Sequence, residues 1–226
     1  MALHHNPRIV TDGFHIYVDP ADINCYPGSG TSVTDLSTNG RNMSLINGAS
    51  ISDGVFVLDG SNDHVEFSYG GIFDWTAIPW TVSYWANATD FTYPTVIDLI
   101  VAGNGHFRFI QNSSFISTTF RTPGGSGTEL VGVAATINTG EWYHSTFTRS
   151  GTTFKAYLDG VLIGTNTNTN FTNSSGMSAI RIGYSADADG ADRTFEGSVG
   201  PMAIYERTLT DDEVYQNYEA QKTRFQ

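Results

Sequence analysis

The sequence predicts an all-β protein with one short C-terminal helix, and three observations carry that prediction. Apolar and polar residues alternate along most of the chain, which is the period of a strand with one buried face. Helical spacing occurs once, near the C-terminus. The 24 glycines and only 15% charged residues suit short strands joined by tight turns better than a helical bundle. A length of 226 residues is one that β sandwiches and barrels reach as a single unit, so one domain over 1–226 with one sizeable core is expected.

Taken in order, "FHIYVD" alternates at Phe14, Ile16 and Val18 and reads as the first strand. The stretch "YPGSGTSVTDLSTNG", Tyr26 to Gly40, is nearly empty of large apolar residues. A nucleotide loop would need its glycines to lead into Gly-Lys-Ser/Thr and a helix, and no lysine precedes Lys155. Val55 and Val57 alternate before "LDGSND", and Val65 and Phe67 after it. "WTVSYWANA" places Trp80, Val82, Tyr84 and Ala86 on one face and Trp85 on the other, and "HFRFI" and "SFISTTF" repeat the pattern roughly at Phe107, Phe109, Phe115 and Phe120. In "TFKAYLDGVLIG" the pair Asp159-Gly160 between two apolar runs is what a type I′ hairpin turn requires.

"SAIRIG" and "SVGPMAIY" supply two later strands, and Pro201 in the second points to an edge position or a bulge. The helix starts at Thr210. Glu213 three residues on completes a capping box, Leu209 and Val214 occupy the positions of a hydrophobic staple, and Val214 and Tyr218 share one face.

Eleven Lys and Arg against 23 Asp and Glu give a formal net charge of −12, a surface that repels phosphate backbones and anionic membranes. Nucleic acid and membrane are therefore excluded as partners, and divalent cations and neutral glycans are retained. Cys25 is the single cysteine and can form no internal disulfide, so it reads as a small half-buried thiol. "MALHHNPRIVTDG" lacks the apolar run of a signal peptide, and no later segment approaches a membrane span. Synthesis in a cytosol is the expectation, with the sequons at Asn42, Asn87, Asn112, Asn170 and Asn173 as surface composition rather than glycan sites.

"GFHIYVDPADINCYPGSGTSVTDLSTNGRNMSLING", "FVLDGSNDHVEF", "WTVSYWANA", "GEWYHSTFTRSGTTFKAYLDGVLIG", "IRIGYS" and "VGPMAIYERTLTDDEVYQNYEAQKTRF" resemble, in this order, laminin-G-like domains of the concanavalin A-like lectin/glucanase superfamily. The opening "NPRIVTDGFHIYVDPAD", with "YPGSGT", and the ending "QNYEAQKTRF" are similar to stand-alone laminin-G-like virion proteins of tailed bacteriophages. The resemblance implies a two-sheet antiparallel jelly roll. Tyr26 to Gly40 would then be the loop crossing from the first strand toward the next over the sandwich rim.

Glucanases of this superfamily carry a Glu-x-Asp-x-Glu strand, and no such strand occurs among the seven scattered glutamates. Hydrolysis is not expected. His144 in "WYHSTFT" reads as a packed strand histidine, and Ser145 beside it must point to the opposite face. Two acidic loops offer hard oxygen donors for calcium, Asp59, Asn62 and Asp63 in the first and Asp187, Asp189 and Asp192 in the second. The competing reading is that these residues make turns, while the resemblance implies a rim calcium as the candidate cofactor. Most aromatics lie in strand-like runs and belong to the core, leaving Trp75 and Tyr93 in loop-like segments as the candidate sugar platform.

The expected function is a non-enzymatic virion component on the outside of a phage particle, a head decoration protein or a tail or fibre accessory, docking on capsid or tail subunits. Host-surface glycans are a further candidate partner, and copies follow the symmetry of their site. The N-terminal segment 1–10 is a candidate docking arm, ordered either by a partner or by docking onto the sandwich. The alternatives are a free carbohydrate-binding lectin and a glycoside hydrolase.

Overall fold

The computed structural model describes residues 7–68, 75–92, 94–101, 105–121, 127–169, 171, 177–186 and 192–226. The first strands are β1 Phe14–Val18, β2 Ser32–Val33, β3 Met43–Ile46, β4 Ser50–Ser52, β5 Val55–Asp59 and β6 His64–Ser68. Then come β7 Trp80–Ala88, β8 Thr95–Val101, β9 Gly105–Asn112, β10 Phe115–Arg121, β11 Gly127–Ala134 and β12 Tyr143–Ser150. The last are β13 Thr153–Leu158, β14 Val161–Thr167, β15 Met177–Ile182, β16 Tyr184–Ser185, β17 Arg193–Thr194 and β18 Glu196–Tyr205, followed by helix α1 Asp211–Gln221.

Sheet A has the order β14-β13-β12-β7-β18-β5-β4, with β1 also paired to β18, and sheet B has the order β11-β10-β9-β8-β15-β6-β3-β2. Their pairings are antiparallel, and together with α1 they form the two-sheet jelly-roll sandwich with one C-terminal helix.

Register explains the core. In sheet B one line of cross-strand partners reads Leu45, Val65, Ile182, Ile97, Phe109, Thr118 and Val131 from β3 to β11, and another reads Phe67, Ile180, Leu99, Phe107, Phe120 and Thr128. Both lines point toward sheet A. There Trp80 meets Phe107 edge-on at 5.1 Å and Phe147 meets Phe109 at 5.5 Å. Burying such lines stabilises the fold by about 25 cal/mol per Å² of apolar surface, which is the main force closing the sandwich.

One lateral edge of the sandwich closes as well. Asn166 Nδ2 on β14 donates to the Leu130 carbonyl on β11 at 2.6 Å, and a Cβ on Gly164 would lie 2.2 Å from Val133, so only glycine permits this approach.

The Asp159-Gly160 turn has φ values of 50° and 77°, the left-handed pair of a type I′ hairpin. Thr210 accepts from the Glu213 backbone N–H while the Glu213 carboxylate accepts from the Thr210 N–H, completing the capping box. Leu209 and Val214 are both buried in a small cluster with Tyr157 and Tyr205. Pro201 lies at a register shift between Val199 and Met202, which is a bulge, but β18 is an interior strand flanked by β7 and by β5 and β1, not an edge. In β5 the expected phase is reversed: Phe56 and Leu58 are buried, while Val55 and Val57 are half-exposed. The larger side chains take the inner face.

The stretch from Tyr26 to Gly40 carries the chain from sheet A to sheet B. Asp35 anchors it from within, accepting from the backbone N–H groups of Tyr17, Ser37 and Arg41 at 2.9–3.0 Å and from the Ser37 hydroxyl at 2.6 Å. Cys25 lies buried at its start, and burial pushes its thiol up to about 12, well away from reactivity.

Residues 7–10 of the proposed arm lie against α1, where Val10 N–H donates to Asn217 Oδ1 at 2.7 Å and Gln216 donates to the Arg8 carbonyl at 2.6 Å. Residues 1–6 lie outside the described residues.

Candidate functional site

The other face of sheet B has a different chemistry because side chains alternate across a pleat. One register line there reads Ser44, Glu66, Arg181, Asp98, Arg108, Thr119 and Glu129, from β3 to β11. The next reads Ser68, Ala179, Ile100, His106, Arg121 and Gly127. Opposite charges are neighbours along the first line, an arrangement favourable across antiparallel strands.

The charged groups hold one another. Arg181 Nε meets Glu66 Oε2 at 2.5 Å and its guanidinium lies 5.5 Å from the Tyr184 ring. Burial works to raise the Glu66 pKa, but hydrogen bonds from Ser68 and Arg181 outweigh it and hold the carboxyl below its ordinary value. Asp98, fully buried, takes His106 Nδ1 at 2.7 Å. Arg108 Nε donates to Ser185 Oγ at 2.8 Å, tying the small β16–β17 hairpin to the sheet. Among the described residues Asp98 Oδ1 and His106 Nε2 have no hydrogen-bond partner, although both atoms are buried.

Ser185, His106 and Asp98 are the residue types of a nucleophilic relay, but the geometry differs. A relay needs the acid on one imidazole nitrogen and the hydroxyl on the other. Here Ser185 Oγ, at 3.5 Å, approaches the same Nδ1 that Asp98 holds. The trio is a brace for the hairpin.

The carboxylates of this register line are also held apart. Asp98 and Glu129 sit three strands apart on the register line, about 14 Å at the usual strand spacing, against about 5–5.5 Å for a retaining pair and 6.5–9.5 Å for an inverting one. Glu66 and Asp98 have Arg181 between them.

Beside the charged line lies a concavity of about 360 Å³, lined by Pro94, Thr95, Arg108, Ile110, Thr119, Gly127, Glu129 and Arg193. Strands β8 to β11 form its floor and Arg193 of β17 one wall. The Glu129 carboxylate lies over Gly132, where a Cβ would come within 2.3 Å of it. Glycine there lets Glu129 fold down on the strand.

None of the expected site residues that are described lines this concavity. Trp75 is only 3% exposed and packs in the core against Trp80 and Phe107, so it offers no sugar platform. Its burial has a clear cause: Arg149 donates to the carbonyls of Trp75, Thr76 and Ile78 at 2.6–3.0 Å and pulls that loop inward. Tyr93 lies outside the described residues, while its neighbour Pro94 lines the concavity.

In the first acidic loop Asp59 accepts from Ser61 N–H at 2.8 Å, and the Asn62 carbonyl accepts from Asn47. Asp63 is buried, and burial, then the nearby Asp59, raises its pKa, which disfavours the charged form calcium needs. Among the described residues no three acids, histidines or cysteines stand together to hold a metal. Asp187 and Asp189 lie outside the described residues, and Asp192 is exposed beside Arg193.

His144 is the packed histidine its strand suggested. It is buried against Trp85, its Nε2 is 2.8 Å from Ser83 Oγ, and desolvation lowers its pKa to about 3.

A family model described as the concanavalin A-like lectin/glucanases superfamily matches residues 59–215. The chain belongs to this superfamily. Among solved structures, this superfamily member is similar to the binding domain of botulinum neurotoxin serotype D, with a TM-score of 0.71 and 13% identity, over 94% of this chain and 53% of that one. It is also similar to the serotype D ligand binding domain in complex with N-acetylneuraminic acid, at TM-score 0.70 and 15% identity over 94% and 52%. The type G receptor binding domain matches at 0.69 and 17% over 93% and 52%. The chain spans about half the length of these structures, and at such identities the likeness is one of fold. No curated protein sequence matches it. Among the described residues no helix is long and apolar enough to cross a membrane.

The charged line on sheet B leaves a signal in the sequence. Asp98 in "VIDLIV", Arg108 in "HFRFI" and Arg181 in "AIRIG" are each a single charge between large apolar residues. A charge at that place in an alternating strand marks an outer face whose charges must find partners.

Proposed function

We propose that the chain is a non-enzymatic glycan-binding module carried on the outside of a phage particle. The observation that carries the glycan reading is the concavity on the outer face of sheet B, with its floor of Thr119, Arg108 and Glu129 and its Arg193 wall. Hydroxyl, guanidinium and carboxylate groups on a rigid sheet are the donors and acceptors that fix a polyhydroxylated ligand. The similar toxin structures are named as ligand or receptor binding domains, one of them holding N-acetylneuraminic acid, which supports a binding rather than a hydrolytic role. The phage placement rests on the opening and closing sequence segments, and it makes capsid or tail subunits the docking partners.

Two experiments test the two parts. A glycan array probed with the purified chain is expected to give hits that Thr119→Trp, which fills the concavity, abolishes without lowering the melting temperature. Mass spectrometry of gradient-purified particles is expected to find the chain. Its recovery only in lysate or medium would replace the virion reading with that of a free lectin, which the likeness to toxin binding domains favours.

A further inference from the structure

We infer that the seam between α1 and the β13–β14 turn is the surface through which the chain docks on another protein, and that this partner presents an apolar centre ringed by lysine or arginine. The inference rests on the virion reading, in which a capsid or tail subunit is the partner, and adds the docking face and its chemistry. Three observations carry it.

The first is where exposed apolar side chains gather. Among the described residues four large hydrophobic side chains are exposed, and three of them meet at this seam: Val161 at 59%, Leu162 at 39% and Tyr215 at 50%. Tyr215 lies over the turn, so close that a Cβ on Gly160 would stand 3.0 Å from its ring. Leu162 shares the outer face with its cross-strand partner Tyr157, whose hydroxyl donates at 2.7 Å to Asp211, one helical turn before Tyr215. Single exposed apolar residues are ordinary on any surface, whereas a cluster of them with a polar rim marks a place where another molecule sits.

The second is how the strand edge is guarded. Among the described strands β14 pairs only with β13 and ends sheet A. Edge strands are protected by charge, proline, a bulge or a cover. Beyond Leu162 this one has two of those devices. Ile163 is the extra residue of a bulge, and Asn166 and Asn168 then donate to the Leu130 and Glu129 carbonyls of β11. The Val161–Leu162 end has no charge and no proline, and it leaves both aliphatic side chains in solvent.

The third is the charge around the cluster. On α1, Asp211 and Asp212 stand one turn before Tyr215 and Glu219 one turn after it, which places all three beside its ring. Asp159 lies in the turn itself. The lysines at this seam, Lys155 and Lys222, are each held by one of these acids, Asp211 at 2.8 Å and Glu219 at 2.7 Å. Four acids, Asp159, Asp211, Asp212 and Glu219, against two lysines leave the rim negative. A shallow groove of about 590 Å³ between Lys155 and the stretch from Thr208 to Asp212 opens beside it. Such a face complements an apolar surface with a positive rim, and it disfavours a second copy of this chain, whose rim is equally negative.

The test counts copies of the chain, by mass spectrometry, in gradient-purified particles assembled with wild type or with a variant. Val161→Thr, Leu162→Thr and Tyr215→Gln, combined, keep the local strand and helix propensities, so the purified chain is expected to melt as wild type does. The combination is expected to cut the copy number about tenfold or more, as removal of an interface centre does. Asp212→Lys alone should cut it about threefold, the range of one exposed charge pair. A photo-crosslinker in place of Leu162 should join the chain to a capsid or tail subunit, within a segment where Lys or Arg flank apolar residues.

A wild-type copy number for the folded triple variant or for Asp212→Lys would overturn this docking face and leave the chain's place on the particle standing. If the triple variant melts early, Asp212→Lys and the crosslink decide in its place. A crosslink to a second copy of the chain, or to a segment without Lys or Arg, would overturn the partner stated here. Absence of the chain from wild-type particles would overturn this inference together with the virion reading beneath it.

Discussion

The two outer faces of the sandwich are treated in opposite ways. On sheet A, α1 and the residues after it lie over Trp85, which stacks on Phe225 at 4.6 Å and on Tyr218 at 5.8 Å and donates its indole N–H to Gln221. Residues 7–10 cross the same region, leaving an inner cavity of about 10 Å³ among Ser83, Tyr205 and Asn217, room for one water, and an open cleft of about 630 Å³ between Arg8, Tyr17 and Gln221 at the rim. On sheet B the outer lines hold charges in place of aromatics, and the neighbouring concavity is about 360 Å³. A sandwich needs only its inner faces for a core. What covers an outer face is therefore open to variation, and here one face is sealed by aromatic packing while the other carries a line of charges, Asp98, His106 and Arg108 among them buried.

The largest expected effect tests the sealed face. Trp85→Ala removes a fully buried indole and is expected to cost about 3–5 kcal/mol, or on the order of 10 °C in melting temperature for a chain of this size. Chemical denaturation checks it, and a loss under about 1 kcal/mol would mean that the helix is not sealing that face. Gly160→Val comes next, at about 2 kcal/mol, since valine resists the positive φ of the turn. A Cβ at Gly160 would also lie 3.0–3.1 Å from Tyr215 and Tyr218, so the variant loosens the hairpin and the helix together. Amide exchange in α1 should quicken with it.

Acid sharpens the contrast further. His144 under the helix has its pKa lowered to about 3 by burial, whereas in the unfolded chain it titrates near 6.5. Between those values the unfolded chain holds a proton that the native one refuses, so stability is full above about pH 6.5 and falls as pH drops toward 3. The slope is about 1.4 kcal/mol per pH unit at most. His144→Asn should flatten it between pH 6 and 5, measured by urea denaturation. Lower down, Glu213, held at about 2 chiefly by hydrogen bonds from Arg207, adds a loss that begins below about pH 4.5. The smallest effect belongs to the open face, where Arg193→Gln is expected to change stability by no more than about 0.5 kcal/mol. A larger loss would show that Arg193 is there for the fold.

The local elements were legible because local chemistry decides them. Asp159-Gly160 admits the left-handed turn, Thr210 and Glu213 cap the helix reciprocally, and Pro201 cannot continue a regular ladder. The site was not legible in the same way. Trp75 looked exposed because it lies in a loop-like segment outside the strand runs, yet Arg149, 74 residues away along the chain, draws it inward. Val55 and Val57 and their neighbours Phe56 and Leu58 are all apolar, so no pattern could choose the inner pair.

By itself, then, the sequence determined the strand period, the turns, the helix and its cap, and the absence of a Glu-x-Asp-x-Glu strand, since each depends on residues within a few positions of one another. Only the tertiary structure decided which isolated charges become a single line. Glu66, Arg181, Asp98, Arg108 and Glu129 come from five strands that are far apart along the chain, and sheet order, which is set by burial of the opposite face, is what places them side by side.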